Sequence, residues 1–264
     1  MIKTDYFFND SSIPVIALAI HNGHSMPEEL LRNCGISDEE RLREEDPHTN
    51  TIAERFANRI IVHDSRFMVD LNRSPQMAIY QKPEDCWGLP ARIKPVRPEY
   101  LFYLQKCHQA WYDVLAYQLD RMLLIHPYVF VLDLHSFNHR RGGPNADPDD
   151  QQLNPDIILG RNNLDHRYYS LIEKLRKRID KQIWQGMELD CRADVKFPGG
   201  YLSRWINNKY SGKALCLAVE FKKIWMDEWT GEVYEPAFTE LKDIFVSAFS
   251  AFSALDLSSG LPKI

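Results

Sequence analysis

Three apolar runs in this 264-residue chain stop at a side chain that can bind a metal or carry a proton. Val15-Ile16-Ala17-Leu18-Ala19-Ile20 stops at His21, Val129-Phe130-Val131-Leu132-Asp133-Leu134 at His135, and Leu215-Cys216-Leu217-Ala218-Val219 at Glu220. Two imidazoles and a carboxylate at one sheet edge are the starting set of a metal-assisted hydrolase. A catalytic zinc takes about three nitrogen or oxygen ligands and keeps a position open for water. His21 and His135 supply two. The third is expected to be Asp46, which closes the polar stretch leaving His21; Glu45 and His24 stand as alternatives, and Asp46 before Pro47 also reads as an ordinary helix N-cap.

Around that set other side chains have chemistry to offer. Asp133 lies two residues before His135, so in a strand both point to one face and the carboxylate can orient the imidazole. Glu220 follows five apolar residues, and a carboxylate buried there needs a reason. Beside an activated water it acts as general base and then protonates the leaving amine; the competing reading is an ion pair with Lys222 or Lys223. Arg66 and Asn72-Arg73 flank another short apolar run. Arginine grips a carboxylate through two parallel hydrogen bonds and asparagine adds a donor, while Arg66 is also suited to stabilising an oxyanion.

The elements that must position these residues follow from periodicity. Continuous apolar runs are expected of strands covered on both faces, and ligand sites in such sheets form at the carboxyl ends of the strands. Residues 22–45 form a polar, acid-rich connection long enough to be functional. Asp46-Pro47 then opens a predicted helix carrying Ile52, Phe56 and Ile60. Ile60-Ile61-Val62 and Phe67-Met68-Val69 read as short strands. A long helix is expected from Pro98, because Leu101, Leu104, His108, Trp111, Leu115 and Met122 recur at three- and four-residue intervals. Residues 138–155 are polar and rich in Gly, Pro and Asp, a loop that directly follows the His135 strand and is a candidate lid. Further helical patterns run through Tyr169, Ile172, Leu175, Ile179 and Ile183, and from Phe238 to Phe252. Between them Gly199-Gly200 permits a tight turn or a close backbone approach. Strands alternating with long helices give an α/β fold: a mixed, largely parallel sheet sandwiched between helices, expected as one domain over residues 1–264.

Composition narrows the function classes. With 44% hydrophobic and 26% charged residues and a formal net charge of -5, the chain can bury a core and has no basic footprint for nucleic acid. The basic cluster at residues 174–181 reads as a solvated helix face. The first residues lack the build of a signal peptide, and no run approaches the roughly 18 apolar residues of a membrane span, so a cytoplasmic location without membrane association is expected. Five cysteines without a Cys-x-x-Cys pair indicate neither a disulfide framework nor a thiolate zinc site. Ser136 lies outside any Gly-x-Ser-x-Gly elbow, which ranks a serine nucleophile low.

Taken in order, His21-Asn22-Gly23, Glu45-Asp46-Pro47-His48, Val69-Asp70-Leu71-Asn72-Arg73, Asp133-Leu134-His135-Ser136, Pro198-Gly199-Gly200-Tyr201 and Val219-Glu220 resemble the N-formylglutamate amidohydrolase family of the zinc carboxypeptidase-like (phosphorylase/hydrolase-like) group. The resemblance implies one zinc ion held by His21, Asp46 and His135, with Glu220 as acid/base residue. By likeness to deacylases of N-acyl amino acids it also implies Asn72 and Arg73 on the substrate carboxylate and Arg66 on the acyl oxygen. Carboxypeptidase relatives place their acidic ligand three residues after the first histidine, where this chain has His24, and Lys222 stands where an arginine is expected. The expected activity is zinc-dependent hydrolysis of a small N-acyl amino acid, N-formylglutamate included. The alternatives are a carboxypeptidase-like peptidase or deacylase working on a peptide terminus, and a non-catalytic amino-acid-binding protein.

Overall fold

The apolar runs become the buried centre of a seven-stranded sheet. In the computed structural model, which describes residues 1–257, the strands are β1 (Thr4–Phe8), β2 (Val15–Ala19), β3 (Asn58–Val62), β4 (Val129–Phe137), β5 (Ile157–Gly160), β8 (Cys191–Ala193) and β9 (Ala214–Lys222), and a separate hairpin pairs β6 (Ile183–Trp184) with β7 (Met187–Glu188). The order across the large sheet is β1-β3-β2-β4-β9-β5-β8. Strands β3, β2, β4 and β9 run parallel; β1 lies antiparallel at one edge, and β5 reverses direction against β9 with β8 parallel to it. This is the expected mixed, largely parallel sheet between helices.

The helices are α1 (Glu28–Leu31), α2 (Asp38–Glu44), α3 (Thr49–Ala53), α4 (Pro98–Leu123), α5 (Tyr169–Ile179), α6 (Tyr201–Lys209) and α7 (Glu235–Phe252). Proline at the first position of α4 costs no hydrogen bond, and its buried stripe Leu104, His108, Trp111, Leu115, Leu119 and Met122 follows the helical period. Strand alternation assigns each layer. Val15, Ala17 and Ala19 of β2 and Phe130, Leu132 and Leu134 of β4 face α5 and α7, whereas Ile16 and Leu18, with Val129 and Val131, face α4 and α6. The same alternation carries Asp133 and His135 onto the α4/α6 side, where the parallel register sets His135 beside Glu220. A slip of one residue would turn both away.

Several local expectations give way to tertiary pairing. The helix after Asp46-Pro47 is only five residues long, Thr49–Ala53, and starts behind His48 in a left-handed conformation at φ 67, so Asp46 is not its N-cap. Ile60 belongs to β3, because hydrogen bonding to β1 on one side and β2 on the other outweighs the local helical spacing. Residues 66–68 form a turn rather than a strand, and Ile183 lies in the β6–β7 hairpin beyond α5. The short strands β1, β5 and β8 were not apparent from periodicity.

One glycine is fixed by close approach. A Cβ on Gly23 would press into the His63 carbonyl group and the Asp64 amide, where the chain leaving His21 crosses the end of β3. Gly23→Ala is therefore expected to destabilise the fold by about 1–3 kcal/mol, read as a lowered urea midpoint with unchanged slope.

Candidate metal centre and active site

The carboxyl ends of β2, β4 and β9 open into a cavity of about 460 Å³ lined by His21, Asp46, Arg66, Asn72, Arg73, His135 and Glu220 among others. Thus the structure brings together the expected ligands His21, Asp46 and His135 with Glu220, Arg66, Asn72 and Arg73, while the alternative ligand His24 lies outside the cavity lining. His21 sits just beyond β2, and the Asp46 amide donates to its carbonyl at 3.0 Å. That backbone bond returns the acid-rich connection to its starting point. A capping box between Ser37 and Glu40 defines the start of α2, and Lys223 closes its other end by donating to the carbonyls of Arg43 (2.6 Å) and Glu45 (2.9 Å).

Asp46 Oδ2 lies 3.3 Å from His21 Nδ1 and 2.9 Å from His135 Nδ1, and one ligand atom from each of the three residues falls within 4.8 Å of the others. The two rings are 4.9 Å apart at 55°. Their far nitrogens meet buried carboxylates: His21 Nε2 lies 2.8 Å from Asp70 Oδ1, and His135 Nε2 lies 2.9 Å from Asp133 Oδ1 in poor hydrogen-bond alignment. The alternative ligands are engaged elsewhere. His24 and Glu45 pair with each other at 2.6 Å, and Ser65 donates to the other Glu45 oxygen.

This donor set fits a cation. In the tautomer whose Nε2–H donates to Asp70, His21 turns its Nδ1 lone pair toward Asp46 Oδ2, and that nitrogen is buried without a hydrogen-bond partner. Two acceptors facing each other require positive charge between them. Burial opposes ionisation of Asp46, yet the hydrogen bond from His135, with the imidazole of His21 close by, outweighs it and holds the carboxyl far below its usual range. Burial likewise disfavours the His135 imidazolium, but Asp133 and Asp46 draw it well above the ordinary value.

Glu220 stands apart from these bonds. Lys222 pairs with Asp156 at 2.6 Å and Lys223 with backbone carbonyls, so neither forms the ion pair that the sequence left open. Burial pushes the Glu220 carboxyl up to about 8, with His135 pulling the other way. Such a group can hold a proton near neutral pH and is exposed enough to the cavity to exchange it.

Asp70 was missed as a site residue, although a buried acid after Phe67-Met68-Val69 repeats the signal that marked the other stops. It accepts from Tyr80 Oη, from Arg66 at 2.9 Å and from the Asn72 amide at 2.8 Å as well as meeting His21. Trp87 lies 4.8 Å from the Arg66 guanidinium, at a position with φ 55. Asn72 is largely engaged: its Oδ1 accepts from Leu202 N at 3.0 Å and its Nδ2 is 3.3 Å from His135 Nε2. Asn138 and Arg141 bring the loop of residues 138–155 to the cavity wall, where Arg141 meets both oxygens of Glu44 at 3.3 and 3.2 Å. All five cysteines are free and Cys216 is buried. No described helix is long and apolar enough to cross a membrane.

The architecture is similar to that of an N-formylglutamate amidohydrolase from Ralstonia eutropha, with a TM-score of 0.72 at 13% identity, covering 97% of this chain and 98% of that one. It is also similar to a gene product of Agrobacterium tumefaciens, with a TM-score of 0.65 at 16% identity and coverage of 95% and 96%. No curated protein matches by sequence. At these identities the structural likeness is one of fold. The sequence itself matches the N-formylglutamate amidohydrolase family model over residues 13–224, a span holding all three strand ends and the connection that carries Asp46, and the chain accordingly belongs to the N-formylglutamate amidohydrolase family.

Proposed function

We propose that this protein is a zinc-dependent hydrolase that cleaves the amide bond of a small N-acyl amino acid, with N-formylglutamate as the substrate to which its family points. The observation that carries the reading is the convergence of His21 Nδ1, His135 Nδ1 and Asp46 Oδ2, with a buried carboxylate behind each imidazole. His21, Asp46 and His135 would hold the zinc, which supplies a Lewis acid for the amide carbonyl and lowers the pKa of nearby water. Glu220 takes a proton from the attacking water and returns it to the departing nitrogen. Arg66, fixed by Asp70 and flanked by Trp87, offers positive charge to the acyl oxygen as the tetrahedral species forms. Arg73 holds the substrate carboxylate, and Asn72 fixes the segment from which it projects.

Metal removal tests the reading. Protein stripped with a chelator is expected to lose more than about 99% of its hydrolysis of N-formylglutamate, since zinc supplies several kcal/mol of transition-state stabilisation. Stoichiometric zinc should restore it. Equal rates in the stripped and reloaded protein would overturn the metal assignment.

A further inference from the structure

Six cationic side chains line the cavity, Arg43, Arg66, Arg73, Arg141, Arg204 and Lys223, and four are already engaged. Arg66 pairs with Asp70 and Arg141 with Glu44. Arg43 lies 3.9 Å from the Trp229 ring centre and 3.5 Å from Glu44, and Lys223 binds two backbone carbonyls. The remaining two are less compensated: Arg73 has only a long contact with an acid, and Arg204 has no acidic partner among the described residues. Arg73 comes no nearer than 3.9 Å to Asp70, and Arg204 lies over the Tyr201 ring at 5.7 Å.

The segments that carry these two side chains are fastened together. Asn72, adjacent to Arg73, accepts from Tyr201 N with its backbone carbonyl at 3.2 Å and from Leu202 N with its side chain at 3.0 Å. Gly200 allows this because a Cβ there would collide with the Asn72 side-chain amide. The start of α6 is thereby fastened to the segment bearing Arg73, and Arg204 projects from that first turn. Arg73, only loosely paired with Asp70, and Arg204, without an acidic partner among the described residues, both line the cavity and are matched by a ligand carrying two negative charges.

Resting on the hydrolase reading above, we infer that Arg204 is a specificity residue: it receives the second carboxylate of an N-acyl acidic amino acid while Arg73 receives the first. The cavity thus selects dicarboxylates over their neutral amide isosteres.

The test compares N-formylglutamate with N-formylglutamine in the zinc-loaded wild type, Arg204→Gln and Arg204→Lys. In Arg204→Gln, kcat/KM for N-formylglutamate is expected to fall about 30-fold, mainly through KM, the effect of losing a charge-assisted hydrogen bond. N-formylglutamine should change by less than about threefold, and Arg204→Lys should recover part of the preference. Because Arg204 is exposed at the cavity mouth, its replacement leaves the core packing untouched. An equal loss on both substrates, or none on either, would overturn the assignment while leaving the hydrolase reading intact. A wild type that hydrolyses neither substrate removes the hydrolase reading itself.

Discussion

Glu220→Gln is expected to reduce kcat about a thousandfold, within the range for removing a positioned general acid/base, with zinc content and unfolding midpoint close to wild type. The side chain lies near the carboxyl end of β9 behind a run of buried residues, lines the cavity, and is in register with His135. Glutamine keeps its volume and cannot exchange the proton. Because no cation pairs with Glu220 among the described residues, its replacement strands no buried charge, so a kinetic loss without a stability loss distinguishes catalysis from structure. Wild-type turnover in this variant would remove Glu220 from the mechanism.

Asp70→Asn should produce the opposite signature, a large loss of stability together with a metal defect. Asp70 is fully buried and faces Arg66, Tyr80, His21 and the Asn72 amide at once. Removing its charge leaves the largely buried Arg66 guanidinium without its carboxylate, a change expected to cost about 3 kcal/mol. The amide that replaces it also supports His21 less well, and loss of such an outer partner lowers metal affinity about 10–100-fold. Guanidinium unfolding of the metal-free protein measures the first effect and competition with a chromogenic chelator the second. Wild-type stability and wild-type zinc affinity together would show that the Asp70 cluster holds neither.

How far the site was legible in the chain depended on the range of the signal. The strand stops could be read because apolar run length and side-chain type are local properties, and β2, β4 and β9 appear where those runs predicted them. The long helix α4 was legible for the same reason. Ile60 and the short helix α3 were not, since partners on both sides of β3 decided a segment whose own spacing was ambiguous. The strand β5 escaped because four residues after a polar loop carry too short a pattern.

The sequence by itself determined the chemistry on offer: two imidazoles and a carboxylate at the ends of buried strands, with Asp46, Arg66, Asn72 and Arg73 in reserve. Only the tertiary structure decided how they are used. It set Asp46 rather than Glu45 or His24 between the histidines, because the Asp46 amide bonds back to His21 while His24 and Glu45 pair with each other. It placed Asp70 and Asp133 behind the two rings and fastened α6 to Asn72. Residue type and periodicity are carried by neighbours in the chain, whereas the pairing of an acid with an imidazole is set by sheet register and loop closure, which join segments far apart in the chain.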